Sequence, residues 1–214
     1  MTAPEIKYKT SNGIYYEKDS VVGAEPDTFE VLNHVWARDS KAVYAYGKKQ
    51  TKPDLYSFTV LNNMYAKDKN QVYYLTGKAS LTSVINDADP LSFEVLDNGY
   101  YEYEVPEKQI IGRPHLGGYA RDKNQVFYGQ LLGGKPRVVA SGAKIDLFRV
   151  IKYSYADDGE NLYIFGEKIK EVDRDSFEIL SPRWAKDKAH VYCDNKISKI
   201  DPQIFQITSR TPNL

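Results

Sequence analysis

One phrase, repeated along the chain, constrains its fold more than any other feature. An aromatic-Ala-basic-Asp step followed by an apolar-Tyr step occurs as Trp36-Ala37-Arg38-Asp39 with Val43-Tyr44, and as Tyr65-Ala66-Lys67-Asp68 with Val72-Tyr73. It returns as Tyr119-Ala120-Arg121-Asp122 with Val126-Phe127, as Tyr155-Ala156-Asp157-Asp158 with Leu162-Tyr163, and as Trp184-Ala185-Lys186-Asp187 with Val191-Tyr192. A blurred first copy runs from Tyr8 to Ile14-Tyr15. Self-similarity of this kind specifies a repeat architecture, in which each unit buries its apolar faces on its neighbours.

A second half-repeat accompanies the first. Its cores begin at Phe29, Phe58, Phe93, Phe148, Phe177 and Phe205, each followed two residues on by Val or Ile. This alternation of aromatic and β-branched residues reads as a short strand. The Ala positions 37, 66, 120, 156 and 185 are separated by 29, 54, 36 and 29 residues. The separation of 54 marks an insertion, and that of 36 a lengthened loop around Gly133-Gly134-Lys135-Pro136.

The turn residues support the same reading. Asp68-Lys69-Asn70-Gln71 and Asp122-Lys123-Asn124-Gln125 join two strands, because Asp accepts from the backbone two residues on and Asn tolerates left-handed backbone. Gly turns follow at Gly47, Gly77 and Gly166. Asp89-Pro90 and Asp201-Pro202 have the Asp-then-Pro start of a helical turn placed before the next strand. The sequence therefore predicts one all-β domain over residues 1–214, a tandem array of about six short β-hairpin or meander repeats of about 29 residues. An open or gently curved array is favoured over a closed six-bladed propeller, whose units usually run about 40 residues or more.

Bulk properties exclude several partners. The 29 basic and 29 acidic residues cancel and are interleaved, so the chain lacks the electrostatic footprint of a general nucleic-acid binder. No apolar run approaches the roughly 18 residues of a membrane-spanning helix. The single cysteine, Cys193, excludes an intrachain disulfide and any Cys-based zinc cluster. The first residues are polar, which leaves a cytoplasmic chain or the mature form of an exported one.

The segments Asp68-Lys69-Asn70-Gln71-Val72-Tyr73-Tyr74 and Asp122-Lys123-Asn124-Gln125-Val126-Phe127-Tyr128 resemble the bacterial DKNYY family, and the likeness extends over roughly residues 6 to 208. The resemblance implies an envelope-associated or secreted bacterial protein, of a kind that includes members of toxin and immunity systems. It implies no catalytic activity. The copies here depart from the pattern at Thr10, Ser40, Asp157 and Ala189.

Candidate chemistry is sparse. His34, His115 and His190 fall in three different phases of the repeat, and none has helical ligand spacing with another. Among the turn aspartates, only Asp157-Asp158-Gly159-Glu160-Asn161 is acidic enough to weigh against the six to eight oxygens calcium requires. Cys193 and His190, three residues apart on a strand, point to opposite faces. No nucleophile elbow, phosphate loop or zinc-protease motif is present, so neither a catalytic residue nor a metal or cofactor is assigned.

The break in the repeat is the remaining candidate. Residues 99–118 interrupt the pattern and concentrate Tyr100, Tyr101, Tyr103, Ile110, Ile111 and Arg113. Insertions in repeat scaffolds map to binding loops, and interfaces favour Tyr and Arg. Tyr16, Tyr74 and Tyr128 offer a second, exposed-ring reading, set against plain sheet packing. The expectation is a non-enzymatic protein-binding module of immunity type that neutralises a toxin or effector. A carbohydrate or envelope binder, and a hydrolase with paired carboxylates, are the alternatives.

Overall fold

The computed structural model describes residues 8–10, 13–33, 35–62, 64–75, 82–97, 100–104, 110–114, 117–130, 134–141 and 145–207, with the backbone alone at 82, 100–104, 110–114, 117 and 130. Each copy of the repeat forms one small antiparallel sheet. The second sheet runs Glu30–Val31, Trp36–Arg38, Val43–Ala45, Lys48–Gln50, each strand beside the next. The third (Thr59–Val60, Tyr65–Lys67, Val72–Leu75, Thr82–Val84) follows the same order. So do the fifth (Arg149–Lys152, Tyr155–Asp157, Leu162–Ile164, Glu167–Lys168) and the sixth (Glu178–Ile179, Trp184–Lys186, Val191–Cys193, Lys196–Ile197). The first sheet has three strands, Tyr8–Lys9, Tyr15–Tyr16 and Asp19–Ser20. Four strands fit into a 29-residue unit because most are only two or three residues long.

The fourth sheet holds the irregularity. Its first strand, Glu94–Val95, pairs with Gly117–Arg121, followed by Gln125–Gln130 and Arg137–Ser141. Between the first two strands the chain makes a separate two-stranded hairpin, Tyr100–Glu104 with Ile110–Pro114. The insertion is thus a hairpin at 100–114, and the repeat resumes at Gly117.

Alternation along the central strands turns each sheet into a two-faced slab. Ala37 and Tyr44 face back onto Tyr8, Ile14 and Tyr16 of the first sheet. Their neighbours Trp36, Val43 and Ala45 face forward onto Phe58, Ala66 and Tyr73 of the third. Both faces are covered, which is why Val43-Tyr44-Ala45 is buried at every residue. Ala37, Ala66, Ala120, Ala156 and Ala185 are fully buried, each opposite the ring of its paired strand.

The Phe residues bind sheet to sheet. Phe58 lies 5.3 Å from Trp36 of the preceding sheet and 6.2 Å from Tyr73 of its own. Phe93 sits between Tyr65 and Phe127, Phe148 between Tyr119 and Tyr163, and Phe177 between Tyr155 and Tyr192. These tilted contacts each add about 1 kcal/mol beyond the area they bury. Five of the six hydrophobic clusters join consecutive sheets, the other joins the sixth sheet to Phe205, and among the described residues none joins the first sheet to the sixth. The described residues form an open stack of separate sheets, which disfavours the closed propeller.

Short turns precede the Phe strands, but the helical turns expected at Asp89-Pro90 and Asp201-Pro202 are found at other units instead. Pro26–Thr28 and Arg174–Ser176 are single 3-10 turns. Residues 90–92 and 202–204 are hydrogen-bonded turns without a full helical cycle. Asp89 still caps its turn, accepting from the Ser92 N–H at 3.1 Å.

Candidate functional site

The signature aspartates are buried, which sequence reading as turn formers did not anticipate. Asp39, Asp68, Asp122, Asp158 and Asp187 are all at most 4% exposed. Their burial is tolerated because the oxygens are filled with donors. Oδ1 of Asp68 accepts the N–H groups of Asn70 and Gln71, at 2.7 and 2.8 Å. Oδ2 accepts the Tyr73 hydroxyl at 2.6 Å and the Asp54 N–H at 2.7 Å, which ties the turn to the segment entering the unit. Asp39 repeats this with Lys41, Ala42, Tyr44 and Glu25, and Asp187 with Ala189, His190, Tyr192 and Asp173. The Asp and the Tyr five residues on are therefore one latch.

Electrostatics follow from that geometry. Burial opposes ionisation of Asp39, Asp68 and Asp187, but the backbone and tyrosine donors outweigh it and hold each carboxyl below its ordinary range. At Asp158 the same balance, with Asn161 and Tyr163 as donors, brings it down to about 2. Burial, then the adjacent carboxylate, pushes Tyr44, Tyr73, Tyr163 and Tyr192 upward. Every described carboxyl whose pKa moves, moves down. That is the wrong direction for the general acid of a two-carboxylate hydrolase.

The acidic loop at Asp157-Asp158 is committed to protein donors. In the second and fourth sheets the corresponding strand pair carries Glu30 with Arg38 and Glu94 with Arg121. In the fifth the charges are exchanged: Arg149 lies 3.0 Å from Asp157, directly across the register. Arg174 from the turn before the sixth sheet adds a second pair at 2.9 Å. Asp157 is thus a compensated swap rather than a worn copy. Asp158 takes the Glu160 and Asn161 N–H groups and the Tyr163 hydroxyl. Oxygens occupied in this way do not assemble a calcium shell.

A second lock uses the paired tyrosines. Tyr119 donates to the Ser154 carbonyl and accepts the Gly166 N–H, both at 3.0 Å. Tyr8 does the same with Val35 and Gly47, again at 3.0 Å. Gly47 and Gly166 follow Tyr46 and Phe165 in turns where both residues have positive φ, the hairpin geometry that asks for Gly. A Cβ on Gly166 would lie 2.5 Å from the Tyr128 Cβ. Tyr16, Tyr74 and Tyr128 are at most 9% exposed, so they pack between sheets and form no exposed-ring surface.

The remaining reactive side chains are quiet. His190 lies 3.4 Å from the Tyr192 hydroxyl and 3.8 Å from Asp187, inside the latch of the sixth unit. Burial, then the charge of Asp194, pushes the Cys193 thiol up, away from thiolate chemistry. His34 and His115 lie outside the described residues.

The insertion hairpin has a regular backbone. Tyr100 pairs with Pro114, Tyr101 with Arg113, Tyr103 with Ile111 and Glu104 with Ile110. Residues 101 and 103 therefore share one face of the ribbon with 111 and 113. The side chains of Tyr100, Tyr101, Tyr103, Ile110, Ile111 and Arg113 lie outside what the structure describes.

The strands of the fifth and sixth units that carry the Asp-to-Tyr latch fall in a stretch that is similar to a known family. Residues 155–211 match the DKNYY family. No curated protein and no solved structure matches the chain. In the third unit, Asp68-Lys69-Asn70-Gln71-Val72-Tyr73-Tyr74 joins its Asp to its first Tyr by a hydrogen bond and packs its second Tyr on the adjoining sheet; in the matched units Ile164 and Cys193 stand at that second position.

Surface residues that the sequence reading missed lie on the turn-bearing edge of the units. Tyr56 is 93% exposed and Leu91 is 82% exposed, each two residues before the Phe of its unit. Asp27, Asp146, Asp175 and Gln203 fill that position elsewhere, so an apolar residue in a polar column was the available signal. A shallow groove of about 290 Å³ between the fourth, fifth and sixth sheets is lined by Arg137, Ile164, Phe165, Glu167, Asp194 and Lys196, among others. An Arg137–Glu167 ion pair at 2.6 Å spans it.

Proposed function

We propose that this chain is a non-enzymatic protein-binding module, an immunity-type protein that binds and neutralises a toxin or effector in the bacterial periplasm or envelope. The coarser part rests on the fold: tandem all-β repeats stacked into a rigid scaffold are an architecture typical of protein-interaction modules. Among the described residues no helix is long and apolar enough to cross a membrane. The non-enzymatic part is supported by carboxylates that are spent on structural donors.

One observation carries the choice of contact. The hairpin at 100–114 forms its own two-stranded sheet inside the fourth unit, so the stack is complete without it. Its sequence places Tyr100, Tyr101, Tyr103, Ile110, Ile111 and Arg113 on that extra ribbon. Aromatic and Arg anchors dominate interface energy, at about 2 kcal/mol or more each when truncated.

The test is a pulldown to identify the partner, then titration of the Tyr101→Ala, Tyr103→Ala, Arg113→Ala triple variant. Binding should weaken well beyond about tenfold with the melting temperature nearly unchanged. A parallel variant, Tyr56→Ser with Leu91→Ser, should retain wild-type affinity. Loss confined to that second variant would move the contact to the turn-bearing edge. A partner that proves to be a glycan would overturn the immunity reading.

A further inference from the structure

The turn-bearing edge of the stack carries an excess of negative charge within a chain that is neutral in total. In the third unit Lys69 pairs with Asp54 at 3.3 Å, while the buried Asp68 beside it takes four neutral donors and stays ionised. In the fourth, Lys123 pairs with Asp89 at 3.6 Å, and the Asp122 carboxylate accepts from backbone N–H groups. The second and sixth units repeat the arrangement, with Lys41 on Glu25 beside Asp39 and Lys188 on Asp173 beside Asp187. Each of these units sets at least two carboxylates against one Lys at this edge.

A short apolar break interrupts that anionic edge. Tyr56 is the most exposed large apolar side chain among the described residues, and Leu91 takes its place in the next unit. The two turns are held alike: the Ser57 hydroxyl accepts the Lys69 N–H at 3.1 Å, and the Ser92 hydroxyl accepts that of Lys123 at 3.0 Å. Leu147, 62% exposed, extends the break into the fifth unit, at a position that is Ser57, Ser92 and Ser176 elsewhere. Acidic residues bound it on both sides, Asp27 in the second unit, then Asp146 and Asp175 in the fifth and sixth. Large apolar side chains that face water in consecutive units mark a contact surface. The carboxylates around them set the sign of the partner.

We propose that this edge docks a basic amphipathic helix of a partner protein, its apolar face on Tyr56, Leu91 and Leu147 and its Lys or Arg residues over the flanking carboxylates. The spacing selects a helix over a strand. Stacked sheets lie about 10 Å apart, a distance a helix covers in about seven residues, returning nearly to the same face. An extended chain covers it in about three residues and then presents its opposite face. This contact is separate from the one assigned to the insertion hairpin. The hairpin leaves the fourth sheet after Val95, at the end of that strand away from the Asp122 turn.

Fluorescence anisotropy with a labelled synthetic peptide tests this. The probe is a helix of about 18 residues with leucines at every seventh position and lysines on the remaining turns. The wild type should bind it, and added salt should weaken the complex. Tyr56→Ser with Leu91→Ser should lose at least about tenfold in affinity, with an unchanged melting temperature, because both side chains are exposed. A control peptide of the same composition, its leucines moved to different faces, should bind at least about tenfold more weakly. The Tyr101→Ala, Tyr103→Ala, Arg113→Ala variant should bind the probe as the wild type does, which keeps this outcome independent of the hairpin's partner. A wild type that does not bind, equal affinity for the two peptides, full affinity in the Tyr56→Ser, Leu91→Ser variant, or loss in the hairpin variant instead would overturn the proposal.

Discussion

Tyr73 donates its hydroxyl to Oδ2 of Asp68 at 2.6 Å, across a turn whose N–H groups fill the other oxygen of the same carboxylate. The pair recurs in the second, fifth and sixth units. It makes the turn, the third strand and the segment entering the unit one hydrogen-bonded body. A stack of two- and three-residue strands needs such ties, since isolated hairpins of this size are marginal in water.

Removing the carboxylate should cost more than removing the ring hydroxyl. Asp68→Ala orphans four donors and should destabilise by about 3 kcal/mol or more, while Tyr73→Phe should cost about 1 to 2 kcal/mol. The fourth unit supplies the reverse experiment, because Phe127 stands where the others carry Tyr. Phe127→Tyr should raise stability by about 1 kcal/mol by giving Asp122 the missing donor. Urea unfolding of the three variants measures the series.

Two buried tyrosines at equivalent positions should respond differently to loss of the hydroxyl. The Tyr119 hydroxyl makes two hydrogen bonds across the junction, whereas that of Tyr155 is buried with no partner among the described residues. Tyr119→Phe should cost about 1 to 3 kcal/mol, and Tyr155→Phe should be neutral or mildly stabilising. Thermal melts of the two variants decide it.

Gly166 is sterically required as well as conformationally suited. Gly166→Ala drives a methyl to 2.5 Å from the Tyr128 Cβ at a φ of +71°, and should destabilise by about 3 kcal/mol. Gly134→Ala has similar φ but open space, and should cost only about 1 kcal/mol. A difference between the two melting temperatures isolates the packing contribution.

Stability should fall at both pH extremes, for opposite reasons. The latch aspartates have folded pKa values below those of the unfolded chain, so their contribution is complete above about pH 4 and is lost as pH falls. For Asp158 the loss runs down to about pH 2 and amounts to about 2 kcal/mol. The latch tyrosines are raised, so their contribution is complete below about pH 10 and is lost as pH climbs further. Stability by urea titration at pH 2, 4, 7, 10 and 11 should trace a plateau with two falling flanks. A chain whose stability is level from pH 4 to 2 would contradict the latch.

The repeat, the all-β class, the Phe column and the place of the insertion were legible in the sequence, because they depend on local periodicity. Alternation of Phe and Val, an Asp-led turn and a Gly turn each act within a few residues. Their recurrence at 29 residues fixes a stack of like units. Other features depend on who faces whom. The turn aspartates read as turn formers. They are buried because the Tyr hydroxyl and the N–H of a residue fourteen positions earlier converge on them in the second, third and sixth units. Asp157 looked like a worn copy until register set Arg149 across from it. For Tyr16, Tyr74 and Tyr128 the sequence favoured packing over exposure only slightly, and it is the adjoining sheet that covers them. Periodicity determines which residues share a face of their own strand; the stacking of one sheet on the next decides whether that face meets water.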